Sequence, residues 1–199
     1  MLRDVCGGIR AVAVGGDHAA AIAHDGTLLT CGSDYGNDGG LGHGADVLFV
    51  PVPTPVPGLS GVRIANVSIG CSHGLATSVD GVAFSWGRGW LGMLGHGDEA
   101  DSPTPRPIAA LRQARVLAVA ARGISSYALT DDGAAYSWGG SEHGQLGHVA
   151  FHRRDGEELG AEAVAQPPRR RPPRGRGREL LGLGLGGLLL ALLGRRRSL

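Results

Sequence analysis

The side chains that could do chemistry in this 199-residue sequence are eight histidines, eighteen acidic residues and three cysteines, and their spacing decides what chemistry is open to them. His43, His96 and His148 each follow a Leu-Gly pair, so they recur at one place in a repeated pattern. A metal centre needs ligands that converge, and no Cys or carboxylate recurs beside these histidines at ligand spacing. A structural or solvent-exposed role is expected for them, with no metal site. Glycine-rich strings such as Gly36-Asn37-Asp38-Gly39-Gly40 lack the lysine and the following helix that a phosphate loop requires, so no nucleotide site is expected. Asp131-Asp132 and Asp98-Glu99-Ala100-Asp101 fall on expected turns or loops, where charge is ordinarily solvated, and nothing marks a general acid and base. The reading is of a non-enzyme with no catalytic residues and no cofactor.

The elements that must position these residues repeat. Ala128 to Gly147 reads ALTDDGAAYSWGGSEHGQLG, and its pattern occurs three times. The middle copy has Asp80-Gly81, Phe84-Ser85-Trp86-Gly87 and Leu94-Gly95-His96; the last has Asp132-Gly133, Tyr136-Ser137-Trp138-Gly139 and Leu146-Gly147-His148. The first, Asp25-Gly26, Leu29-Thr30-Cys31-Gly32 and Leu41-Gly42-His43, places Cys31 where the others place Trp. The Asp-Gly pairs lie 55 and 52 residues apart, a period at which each unit buries its apolar face against its neighbours.

Each copy opens with an aliphatic, β-branched segment of strand length: Ile9 to Val14, Val62 to Ile69 and Val116 to Ala120. Gly-x-x-His follows in two copies, ending at His18 and His73; the third has Arg122 and Ser125 there. Asp-Gly between apolar runs predicts a hairpin with a tight primed turn, the glycines being Gly26, Gly81 and Gly133. Ala19–Ala23 should pair with Thr27–Cys31, Leu75–Val79 with Val82–Trp86, and Tyr127–Asp131 with Ala134–Trp138. Close backbone approach is expected at the Leu-Gly glycines, Gly42, Gly95 and Gly147. The proline-punctuated segments, Val50 to Pro57 and Pro103 to Pro107, belong at a blade edge or in a connection. Three or four short strands per period is what a propeller blade requires. The expected fold is all-β, a partial β-propeller of about three blades forming an open arc, with units near 9–61, 62–113 and 114–149.

The order Gly-x-x-His, Asp-Gly, aromatic-Ser-Trp-Gly, Gly-x-Leu-Gly resembles the repeat of the regulator of chromosome condensation family, over roughly Ile9 to His148. The resemblance implies a seven-bladed propeller in which His18, His73, Trp86, Trp138, Gly32, Gly87 and Gly139 have structural roles. It also raises guanine-nucleotide exchange on a Ran-like small GTPase, the founding member's activity. Ultraviolet perception, known in a plant relative with a repeated tryptophan-rich motif, finds only Gly89-Trp90-Leu91-Gly92 here. Three units cannot close such a ring, and open blade edges invite self-association.

Charge divides the chain. Residues 1–149 hold 8 Arg against 13 acidic residues, residues 150–199 hold 11 Arg against 5, and lysine is absent. Residues 150–199 form a low-complexity, Arg/Pro/Gly/Leu-rich tail whose composition suits a disordered segment, or translation through an intron or shifted frame of a GC-rich gene. Arg169 to Arg178 would bind nucleic acid or acidic partners through charge. The Leu/Gly run Leu180 to Gly194 is short of the roughly 20 residues a membrane-spanning helix needs, so a membrane partner is not expected. Cys6, Cys31 and Cys71 suggest no disulfide framework, and the N-terminus has no apolar run of signal-peptide length, so a cytoplasmic or nuclear location is expected. The functional expectation is a non-catalytic protein-interaction module, with exchange-factor activity and chromatin or nucleic-acid association as alternatives.

Overall fold

The computed structural model describes residues 7–147; the tail, Cys6 and His148 lie outside them. Strand alternation builds three antiparallel sheets. Blade 1 is the meander β1 (Ile9–Val14), β2 (His18–Ala23), β3 (Leu28–Ser33) and β4 (Phe49–Pro55). Blade 2 repeats it as β5 (Ile64–Ile69), β6 (His73–Ser78), β7 (Ala83–Gly87) and β8 (Ser102–Pro107). Blade 3 has β9 (Val116–Arg122), β10 (Ser125–Thr130) and β11 (Ala135–Gly139) among the described residues. The arrangement is a partial β-propeller, an open arc.

The core lies between blades. Ala20, Ile22 and Leu28 on one face of blade 1 meet Ile64, Val67, Ile69, Ala76, Phe84 and Trp86 of blade 2. The next junction sets Leu75 and Ala83 of blade 2 against Val116, Val119, Ala128 and Trp138 of blade 3. Single-turn 3-10 segments at Pro57–Leu59 and Ala109–Leu111 carry the chain from one blade to the next and add Leu59 and Leu111 to these clusters. Polar stitches align the blades: Ile64 N–H donates to Gly26 O at 2.8 Å and Val116 N–H to Gly81 O at 2.9 Å, so each hairpin tip seats the first strand of the following blade. Asn66 Oδ1 and Ser68 Oγ accept from the N–H groups of Val119 and Ala121 at 3.1 and 2.9 Å.

The proline segments form β4 and β8, the outer strands, where a missing N–H is tolerated. Thr54 pairs with Thr30 and Arg106 with Ser85, while the prolines fall at alternate positions.

The hairpin turns differ from the expected primed type. Gly26 N–H donates to Ala23 O at 3.0 Å and Ala23 N–H to Thr27 O at 2.9 Å, a three-residue loop in which Gly26 (φ +94°) has positive φ and Asp25 does not. This is a type I turn with a glycine bulge; the same bonding surrounds Gly81 and Gly133. The physical reason is visible in the aspartate, whose Oδ1 accepts from Thr27 N–H at 2.9 Å, holding it in a right-handed turn conformation that a primed turn would forfeit. The bulge takes up Thr27, so β3 starts one residue later than expected.

Candidate interaction surface

The repeated tryptophans are set by a bulge: pairing between β7 and β8 shifts register between Ser85 and Gly87, on either side of Trp86. Trp86 is fully buried and donates its indole N–H across the junction to Gly40 O at 3.0 Å; Trp138 does the same to Met93 O at 2.9 Å. A Cβ on Gly42 would stand 3.1 Å from the Trp86 ring, and one on Gly95 2.9 Å from Trp138 Nε1, so both Leu-Gly loops need glycine for the indole to lie on them.

A hydroxyl pins each of these loops. Thr30 Oγ1 donates to Leu41 O at 2.6 Å, Ser85 Oγ to Leu94 O at 2.7 Å and Ser137 Oγ to Leu146 O at 2.8 Å. A hydroxyl residue immediately before Trp or Cys in all three copies is the sequence signal for this role, which the motif alone does not disclose. With their protons committed to the carbonyls, the Thr30 and Ser85 hydroxyls accept from histidine rings, His43 Nε2 at 2.9 Å and His96 Nε2 at 3.1 Å. Burial lowers the pKa of both histidines, and Arg106 adds to the effect at His96.

The Gly-x-x-His residues lie deeper. His73 Nε2 bonds Ser126 Oγ of blade 3 at 2.9 Å, and that hydroxyl donates to Met93 O at 2.7 Å. His73 Nδ1 finds no partner among the described residues, and burial, with His18 nearby, lowers the ring pKa to about 4. His18 occupies the matching place at the first junction, but Gly74 stands where Ser126 stands, and His18 Nε2 is left without a partner among the described residues. Gly32, Gly87 and Gly139 pair with His18, His73 and Ser125 at the ends of their strands or one residue before. No three metal-binding side chains gather among the described residues. Apart from Ser137 and its loop, these positions line the two blade junctions.

The loops 34–48 and 88–101 lie at the end of the blades opposite the Asp-Gly hairpins. Asp34 accepts from the N–H groups of Asp38 and Gly39 at 3.2 and 2.7 Å, folding the first loop; Asp101 accepts from Gly89 N–H at 2.8 Å, folding the second. The acidic run Asp98 to Asp101 is therefore partly loop architecture. Arg88 joins the two loops, 3.9 Å from the Asp38 carboxylate and 5.4 Å from the centre of the Trp90 ring. Partial burial raises the Asp38 pKa against the opposing pull of Arg88. Tyr35, on the first loop, is 85% exposed, and Trp90, against Arg88 on the second, is 44% exposed. Neither Tyr35 nor Arg88 stands out in the sequence, because the contact joining the two loops is made in three dimensions between residues 50 apart.

The regulator of chromosome condensation (RCC1) repeat matches residues 25–77 and 80–126. The chain is 39% identical to the ultraviolet-B receptor UVR8 of Arabidopsis thaliana over 140 residues, 70% of this chain and 31% of that protein. It is 37% identical to the human E3 ubiquitin-protein ligase HERC2 over 139 residues, 69% of this chain and 3% of that one. It thus spans about a third or less of these relatives. Among solved structures, human WBSCR16 superposes with a TM-score of 0.61 at 28% identity, covering 68% of this chain and 34% of that one. Yeast RCC1 (Prp20), solved with Kap60, superposes at 0.66 with 24% identity, covering 79% and 37%. Repeat match, sequence identity and blade architecture agree, and the chain belongs to the RCC1 repeat family.

Proposed function

We propose that this chain is a non-catalytic protein-interaction module that engages its partner through the loop end bearing Tyr35, Arg88 and Trp90. The observation carrying this reading is the exposed Tyr35 and Trp90 on two loops tied down by Asp34 and Asp101 and joined by the Arg88–Asp38 pair. Tyr, Trp and Arg are the residue types that dominate binding energy at protein interfaces, and a braced loop loses little freedom on binding. Relatives sharing this repeat are named as a photoreceptor and as a ubiquitin ligase, which fits a scaffold whose loops are specialised separately.

The test is quantitative cross-linking and affinity capture with the intact chain and with Tyr35→Ala/Trp90→Ala. Partners captured by the intact chain should be lost at least tenfold in the double variant at an unchanged melting temperature; retention of every partner would remove the loop end from the reading. Guanine-nucleotide exchange is the second reading, supported by likeness to yeast Prp20p, whose structure was described with its binding to Gsp1p and histones. Accelerated nucleotide release from a Ran-like small GTPase, lost in the same double variant, would replace the interaction reading with exchange.

A further inference from the structure

The outer strands carry three Ser/Thr-Pro pairs, Thr54-Pro55 in β4 and Ser102-Pro103 and Thr104-Pro105 in β8. Two of these hydroxyls are committed locally: Thr54 Oγ1 donates to Val52 O at 2.8 Å and Ser102 Oγ to Thr104 O at 2.9 Å. Both residues are half-buried. Thr104 is exposed, and its hydroxyl has no hydrogen-bond partner among the described residues.

Thr104 stands at the crest of a bulge. Ser102, Arg106 and Pro107 of β8 pair with Gly87, Ser85 and Phe84 of β7, and the register shift between Ser85 and Gly87 leaves Pro103, Thr104 and Pro105 opposite Trp86. The two flanking prolines are packed on blade 1. A Cβ on Gly39 would lie 2.2 Å from Pro103 Cα and one on Gly58 3.2 Å from Pro105 Cδ, and Gly44 N–H donates to Pro103 O at 3.0 Å. Strand alternation turns Thr104 and Arg106 to the other side, where both are exposed. In β4 the two matching places hold Val52 and Thr54, so of these two outer strands only β8 sets a hydroxyl beside a cation.

Pro105 has no N–H, and it confines Thr104 to extended backbone. An enzyme that must bond the N–H following its acceptor residue is excluded here, whereas one whose site accepts proline at that place meets the segment already extended. We propose that Thr104 is a phosphorylation site for a proline-directed serine/threonine kinase, with Arg106 pairing to the phosphate it receives. In the transfer Thr104 Oγ1 bonds to the γ-phosphorus of ATP. The bond from that phosphorus to the bridging oxygen breaks, its electron pair leaves with ADP, and the hydroxyl proton passes to a carboxylate base of the kinase. The product carries close to two negative charges at neutral pH, two residues from a guanidinium that has no ion pair among the described residues. This site does not rest on the reading of the loop end carrying Tyr35 and Trp90.

Incubation of the full chain with ATP and a purified proline-directed kinase tests it, with sites and rates read by tandem mass spectrometry. Phosphate should enter Thr104 about tenfold faster than Thr54 or Ser102, whose hydroxyls must first give up a hydrogen bond. Thr104→Val should remove that phosphate, with circular dichroism melting to confirm the fold, and Thr104→Ser should restore it as phosphoserine. In a phosphorus-31 NMR titration of the modified chain, the second ionisation of the phosphate should fall below its ordinary value of about 6, and Arg106→Gln should bring it back. A folded chain that takes no phosphate on Thr104 overturns the proposal. So does equal labelling of Thr54 or Ser102, because the exposed, unbonded hydroxyl would then not select the site. An ionisation unmoved by Arg106→Gln overturns the pairing with Arg106.

Discussion

Trp86 and Cys31 hold the same place in their blades, yet only Trp86 has a junction to fill. Its ring is buried among Ile22, Leu28 and Val56 and its N–H is spent on Gly40 O. Trp86→Ala should cost about 3–5 kcal/mol in urea unfolding, the range for large buried aromatics, whereas Cys31→Ala should stay within about 1 kcal/mol. His73 gives a pH dependence. Its ring is neutral in the fold down to about pH 4, while an exposed histidine takes up a proton near 6.5. The unfolded chain therefore binds more protons between these values, and His73's contribution, complete above about pH 6.5, is lost as pH falls towards 4. Thermal melts across this window should show a falling midpoint. His73→Gln should flatten that slope, and an unchanged slope would place the acid sensitivity elsewhere.

At the scale of elements, the hairpins and the proline strands make opposite demands on substitution. Gly26 has φ +94°, and a Cβ there would lie 2.9 Å from Arg63 Cβ of the next blade, so Gly26→Ala combines backbone strain with a clash at a junction. A loss of roughly 1–3 kcal/mol is expected, measurable as a shift in unfolding midpoint. Pro105 sits in the outer strand β8, and Pro105→Ala should change stability by less than about 1 kcal/mol. The inner strands were legible within a few residues from β-branched and aliphatic runs and a glycine turn, while the proline segments, expected at a blade edge or in a connection, form the outer strands. The turn type was not legible, because Asp-Gly serves both a primed turn and a type I turn with a bulge. The choice falls to the Asp25 carboxylate, which accepts from Thr27, and to the next blade's Arg63 packed against the glycine.

Over the whole molecule, stability is shared between nearest neighbours, as in other repeat proteins. Equivalent valines should therefore respond differently according to whether a blade stands in front of them. Val67→Asp buries an unpaired charge between blades 1 and 2 and should unfold the chain or cost more than about 3 kcal/mol. Val12→Asp, at the matching place in β1 where the side chain is exposed, should leave the melting temperature within a few degrees.

The sequence alone determined the repeat, the strands within it and the family, because period, glycine placement and apolar alternation are local properties that survive without knowledge of neighbours. It also indicated that the recurrent histidines would not converge, since equal spacing places them in successive units. Tertiary structure decided what those residues do. It showed the Thr30, Ser85 and Ser137 hydroxyls pinning the Leu-Gly loops, and Arg88 joining the loop of Asp38 to that of Trp90. It also showed Tyr127 reaching the carbonyl that elsewhere receives a tryptophan. Each of these is a contact between segments whose proximity is set by blade packing, and residue spacing within one repeat carries no record of it.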